Sequence, residues 1–149
     1  VHDMREPFEE KFDAIFNLFT SFGYFENDED NLTTLKAIKE SLSEYGFAVI
    51  DFMNVNQVIE TLVPEEIKTV ENIDFHIKRY LKDGHIFKEI DFEDKGQKYH
   101  FIEKVKALTL KDFEELMEEA GIFLLDIFGD YKLKKFHKTE SERLIMIFK

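Results

Sequence analysis

Phe12-Asp13-Ala14-Ile15-Phe16-Asn17-Leu18-Phe19, running on into Thr20-Ser21-Phe22-Gly23-Tyr24-Phe25, is the stretch on which the fold turns. Residues 12–19 form an apolar run too short for a helix and bounded by turn residues, which reads as a buried strand. It stops in Asn17, Thr20, Ser21 and Gly23, and Asp28, Glu29 and Asp30 then open a helix. An open α/β sheet presents its ligand site in this way, in the crevice beyond the carboxyl ends of its strands.

Outward from that strand, Leu32, Leu35, Ile38 and Leu42 recur at helical spacing, which predicts a helix over residues 28–45. The acidic start suits the positive end of the helix dipole, and Gly46 is the expected stop. Phe47-Ala48-Val49-Ile50-Asp51-Phe52 follows as a second buried strand, ending at Asn54. Strand, helix and strand with short joints make a βαβ unit, so the two strands are expected to be parallel. A short helix over residues 55–62 precedes Pro64.

The pattern then changes. Ile73, Phe75 and Ile77, then Ile86, Ile90 and Phe92, then Tyr99, Phe101 and Val105 alternate as strands do. Asp83-Gly84 and Asp94-Lys95-Gly96 separate them as turns. Residues 55–108 are therefore expected to be an antiparallel β-meander inserted into the α/β framework. The framework resumes where Thr109-Leu110-Lys111-Asp112 fits a capping pattern ahead of the stripe Leu110, Phe113, Leu116, Met117 and Ala120. Gly121 ends that helix, residues 122–128 form a strand, and a loop over 129–142 leads to a last strand at 143–148.

Composition limits the function classes. The chain has 149 residues, 44% hydrophobic with 17 Phe, enough for a packed core. No cysteine is present, which excludes disulfides, thiolate metal sites and a Cys nucleophile. The formal charge of −12 argues against a nucleic-acid partner. The short basic cluster Lys132, Lys134, Lys135, His137 and Lys138 reads as a solvated loop. No apolar run approaches the roughly 20 residues of a membrane span, and the start lacks signal-peptide character. A cytoplasmic location is expected. The first residue is Val1, so the start has been trimmed or the chain is a piece of something longer.

The stretch 12–25, with the closing helix, Ala120-Gly121 stop, strand, loop and terminal strand, resembles the class I S-adenosylmethionine (SAM) dependent methyltransferases. Residues 12–25 are similar to that family's fourth strand and following loop, and the resemblance runs over residues 3–149. It implies an α/β fold: the C-terminal part of a Rossmann-like class I methyltransferase sheet, with the inserted antiparallel β-meander. The last two strands would form an antiparallel hairpin with the final strand placed next to the fifth. The family's Gly-rich turn after the first strand, and its second-strand carboxylate, have no counterpart here; the six glycines are scattered.

The resemblance also assigns roles. Val1-His2-Asp3-Met4-Arg5 is similar to the segment after the third strand, so Asp3 would meet the adenine amino group and Met4 would pack on the ring. Asn17, Leu18 and Phe19 would line the SAM cofactor, with residues 20–25, Phe22 and Tyr24 above all, reaching toward a small-molecule substrate. Without the resemblance, Asp3 and Met4 read as an exposed terminus, Asn17 as a strand-end turn and Phe16 as core. Buried without a partner, Asn17 would cost roughly 1–3 kcal/mol, so it needs one from backbone or ligand.

Within the insertion, expected to cover the substrate, His76 and Tyr80 share a strand face opposite Phe75 and Ile77. His76, Tyr80, His85 and His100 do not make a metal site on strand spacing alone. Methyl transfer by the C-terminal part of a methyltransferase is thus one expectation, with the isolated chain inactive. A non-catalytic binding module that uses exposed strand edges is the alternative. Either way the strand over residues 13–19 would have an open edge, which predicts self-association or pairing with the missing N-terminal half.

Overall fold

The computed structural model describes residues 1–149 and divides into two compact units, Val1–Val58 with Leu108–Lys149, and Ile59–Ala107. The first unit contains β1 (Phe12–Asn17), α1 (Asp28–Ser41), β2 (Leu42–Met53), α3 (Leu110–Ala120), β7 (Leu124–Phe128) and β8 (Arg143–Phe148). The short helix α2 (Val55–Thr61) crosses the boundary. The second unit holds β3 (Glu65–Val70), β4 (Ile73–Lys82), β5 (His85–Asp94) and β6 (Gln97–Lys106). No helix is long and apolar enough to cross a membrane.

In the first unit the strand order is β1-β2-β8-β7. β1 and β2 are parallel, as a βαβ crossover requires, and β8 runs antiparallel to both β2 and β7. The terminal hairpin therefore folds its last strand inward, beside β2. One face of the sheet carries the core: Ile50, Phe52, Leu144, Met146 and Phe148 are essentially inaccessible, as are Leu35 of α1 and Phe113 and Met117 of α3. Phe113 sits at the centre, its ring 5.2 Å from Phe52 and 5.5 Å from Phe22. Thr109 and Asp112 close a reciprocal capping box at the start of α3, and Gly121 ends it in the left-handed region at φ 66°.

Three expectations are corrected here. The helix α1 ends at Ser41, not near Tyr45, and Gly46 lies within β2 instead of stopping the helix. Pairing jumps from Phe12–Leu42 to Ala14–Phe47, a bulge in β2. A Cβ at Gly46 would stand 2.7 Å from the Phe12 carbonyl oxygen, so the glycine serves close backbone approach. The insertion has four strands, not three, because β3 was not anticipated. Its turn to β4 uses Glu71 (φ 49°) and Asn72 (φ 67°), without glycine. Phe16, expected in the core, is 58% exposed beside Phe47 on the sheet face opposite Ile50 and Phe52.

Candidate functional site

Asn17 and Met53 end the parallel pair, and Arg143 pairs with Met53 at the start of β8. Residues 18–27 and the loop over 129–142 therefore leave from the same end of the sheet, the end where an open α/β sheet binds its ligand.

The fixed point at this end is Asp51, 1% exposed in the middle of an apolar strand. A carboxylate buried there must be neutralised and hydrogen-bonded. Arg143 Nε donates to Oδ1 at 2.7 Å, and the Phe19 N–H and the Tyr131 hydroxyl both donate to Oδ2 at 2.9 Å. The Asp51 carbonyl accepts from the Thr20 N–H at 3.0 Å. Arg143 also donates from its second terminal nitrogen to Thr20 Oγ1 at 3.0 Å. These bonds converge on Phe19 (φ 59°) and Thr20 (φ 58°), consecutive non-glycine residues in the left-handed region. Such a residue costs of order 1–3 kcal/mol and persists only where its surroundings over-determine it. Burial, and then the bond to the Asp51 carboxylate, push the Tyr131 phenol above its ordinary value.

Beside this hub, Met4, Phe8, Ile15, Phe16, Asn17 and Ile38 line a hollow of about 140 Å³. Met4 and Asn17, 13 residues apart in sequence, are thus brought to one hollow. The Asn17 amide is buried, and its Oδ1 lies 3.1 Å from the Ser21 hydroxyl, which is also 2.8 Å from the Leu18 carbonyl. Asn17 has therefore found its partner within the strand-end turn. Leu18 and Phe19 follow with exposed side chains.

Asp3 is placed differently from Met4. Its carboxylate is gripped by Arg5 Nη2 at 2.6 Å and Nε at 3.0 Å, which holds its pKa down to about 2. Arg5 in turn reaches Asp30 at 3.3 Å and lies 5.5 Å from the Phe25 ring centre. To meet an adenine amino group, Asp3 would have to share or release that guanidinium.

A wider hollow, about 590 Å³, lies in the loop over 129–142, with Tyr131, Lys132, Lys134, His137, Glu140 and Ser141 among its lining. The loop is anchored by the buried Asn54 amide, which donates to the Lys138 carbonyl at 2.9 Å and to the Ser141 carbonyl at 2.7 Å. Lys132, Lys134, Lys135, His137 and Lys138 are exposed.

Of the residues expected to touch substrate, Phe22 is corrected: it is wholly buried against Phe113 and belongs to the core. Tyr24 is half exposed. In the second unit, His76 pairs with Asp91 and Tyr80 with Phe87 across the β4–β5 ladder. Tyr80 stacks on Phe87 at 5.0 Å and donates its hydroxyl to Glu89 at 2.7 Å, which raises its pKa. His76 is exposed.

Asp51, Tyr131 and Arg143 were not anticipated. The available signal was Asp51 itself, an acid inside Phe47-Ala48-Val49-Ile50-Asp51-Phe52, since charged residues are almost never fully buried unless paired.

The chain matches a SAM-dependent methyltransferase of Clostridium acetobutylicum with a TM-score of 0.84 over 99% of its length, at 21% identity. It matches a methyltransferase of Streptomyces caelestis at 0.83 over 100%, with 11% identity. The chain has a class I methyltransferase fold. A sugar N-methyltransferase of Streptoalloteichus is similar at 0.69 over 98%, with 15% identity. This partial methyltransferase fold spans 62% of the length of the first two structures and 60% of the third. No family model and no curated protein sequence matches it.

Proposed function

We propose that this chain is the C-terminal part of a SAM-dependent methyltransferase that acts on a small-molecule acceptor in the cytoplasm. The observation that carries the reading is the strained, hydrogen-bonded turn after β1, at the carboxyl end of a methyltransferase-type sheet. The hollow beside it has an apolar wall from Met4, Ile15 and Phe16 and one amide from Asn17, a donor set that fits the edge and face of a purine. Met4, Asn17, Leu18 and Phe19 would hold that end of the cofactor, and Asp3 would join them by sharing Arg5. When bound, SAM supplies an electrophilic methyl group on a sulfonium. The protein's part is to orient the acceptor against it and exclude water, and alignment of that kind can supply several kcal/mol of the barrier, up to about 7–11.

An amine is the acceptor this reading favours, because one similar structure is a sugar N-methyltransferase. Phe22 is left out of the acceptor set. The inserted unit, with His76 and Tyr80, is assigned to acceptor recognition: Tyr80→Ala in the active enzyme is expected to raise the acceptor KM and spare SAM affinity. The 149-residue chain itself lacks a Gly-rich turn for the methionine portion and is expected to bind SAM weakly or not at all. Titration calorimetry tests this directly. Micromolar affinity for the chain alone would overturn the division of the site.

A second reading, a non-catalytic interaction module, is favoured by the free edge of β1 and the exposed Phe16 and Phe47 beside it. On either reading we assign this edge to a further strand, from a second copy or from the rest of the fold. Light scattering that shows a monomer at high concentration would remove the assignment. Methyl transfer from labelled SAM to an amine, in the presence of the complementary half, decides between enzyme and module.

A further inference from the structure

We propose that Asp51 is a positioning residue that locks the two loops at the carboxyl end of the sheet into one preorganised unit. One oxygen takes Arg143 and the other takes both the Phe19 N–H of the strand-end turn and the Tyr131 hydroxyl of the loop over 129–142. The same carboxylate is thus the meeting point of segments more than 100 residues apart in sequence, Phe19 and Tyr131.

The geometry excludes a plain core ion pair as the whole role. A pair with Arg143 alone would use one carboxylate edge and leave the other without a donor. Here the second edge is committed to a backbone amide of a residue with φ 59°, and to the phenol of Tyr131, a residue 62% exposed that lines the 590 Å³ hollow. Arg143 reinforces the turn independently through Thr20 Oγ1. A left-handed pair at residues 19 and 20 relaxes when its external bonds are lost, since nothing in the local sequence favours it. The carboxylate therefore fixes where Leu18 and Phe19 present themselves, and Tyr131 carries that constraint to the neighbouring loop. The proposal rests on this end of the sheet being the ligand side, as proposed above. Its test uses no ligand, so failure of SAM to bind would leave it standing.

The test is residue-resolved amide exchange with Asp51→Asn and Tyr131→Phe, both measured on the 149-residue chain. Asp51→Asn keeps the shape and removes the charge. It is expected to speed exchange at Phe19 and at the loop amides of Gly129 and Leu133 by about tenfold or more, while Ile50 and Met146 change little. Tyr131→Phe is expected to speed only Gly129 and Leu133, because Phe19 keeps its acceptor. In the wild type, carbon-13 titration of the Tyr131 ring is expected to show its phenol raised above the ordinary value. An unchanged Phe19 rate in Asp51→Asn, or a uniform rise across the whole first unit, would overturn the proposal. Should Asp51→Asn fail to fold, unchanged Gly129 and Leu133 rates in Tyr131→Phe would overturn it equally.

Discussion

Asn54 offers the sharpest energetic test of how the loop over 129–142 is held. It stands directly after β2, is 2% exposed, and its side-chain nitrogen donates to the Lys138 and Ser141 carbonyls at 2.9 and 2.7 Å, with the His137 carbonyl at 3.5 Å. Its own carbonyl accepts from the Val58 N–H at 2.9 Å, so the residue also starts α2. Asn54→Ala deletes the donor and leaves two carbonyls to find water or go without. Each unsatisfied carbonyl costs about 1–3 kcal/mol, less where water enters, so the change is expected to cost about 2–4 kcal/mol. For a chain of this size each kcal/mol moves Tm by about 2–4 °C, giving a fall of roughly 5–15 °C.

Asn54→Asp sharpens the test because it keeps the shape and turns the donor into an acceptor facing carbonyl oxygens. At neutral pH it is expected to cost more than Asn54→Ala. The introduced carboxyl, buried against acceptors, would have its folded pKa raised above the unfolded value. Its protonated form can donate, so the variant gains stability as pH falls through that raised pKa, which the alanine variant does not. Thermal melts of both variants at pH 7 and pH 5, followed by far-ultraviolet circular dichroism, read both effects. An alanine variant within about 1 kcal/mol of wild type, or an aspartate variant as stable as alanine at pH 7, would refute the donor role.

Further tests address other parts of the fold. Gly46→Ala drives a methyl to 2.7 Å from the Phe12 carbonyl oxygen and is expected to cost about 1–3 kcal/mol in denaturant midpoint, whereas wild-type stability would mean the bulge adjusts freely. Thr109→Ala removes the cap on the Asp112 N–H and is expected to cost about 1 kcal/mol, with Thr109→Ser retaining most of it. The Asp3 carboxyl is expected to titrate at about 2, and to return toward the ordinary value of 3.8 in Arg5→Gln, as read by NMR. Because its folded pKa is depressed, its contribution to stability is present above 3.8 and disappears as pH falls toward 2.

The elements that were legible in the sequence are those whose cues are local. The stripe on α3, its Thr109–Asp112 cap and its Gly121 stop each sit within one or two turns of chain, and all appear where the spacing put them. The parallel β1–β2 pair followed from a short crossover. What went unread depends on partners distant in sequence. Gly46 follows a helical stripe, and only the approach of Phe12, 34 residues earlier, reveals that it serves a bulge. Glu65, Glu66, Lys68 and Thr69 gave β3 a charged, solvent-facing composition, typical of an edge strand and easily taken for loop.

The candidate site shows the same division more strongly. Residue types near the end of β1 were enough to mark the segment, because a polar Asn17 after an apolar strand has few inexpensive environments. Which of those residues face outward was not legible: Phe19 and Phe22 have the same side chain and lie 3 residues apart, yet one is 77% exposed and the other 0%. The left-handed turn at Phe19 and Thr20 reverses the direction in which successive side chains point, and that turn exists because Asp51, Arg143 and Tyr131 supply its hydrogen bonds. Periodicity along residues 12–25 cannot encode a conformation imposed from β2, β8 and a distant loop. The acid in the middle of Phe47-Ala48-Val49-Ile50-Asp51-Phe52 was the one local sign of it. A buried carboxylate without a near-sequence cation has to be answered from elsewhere in the chain, and its answering groups mark where the chain has been drawn together.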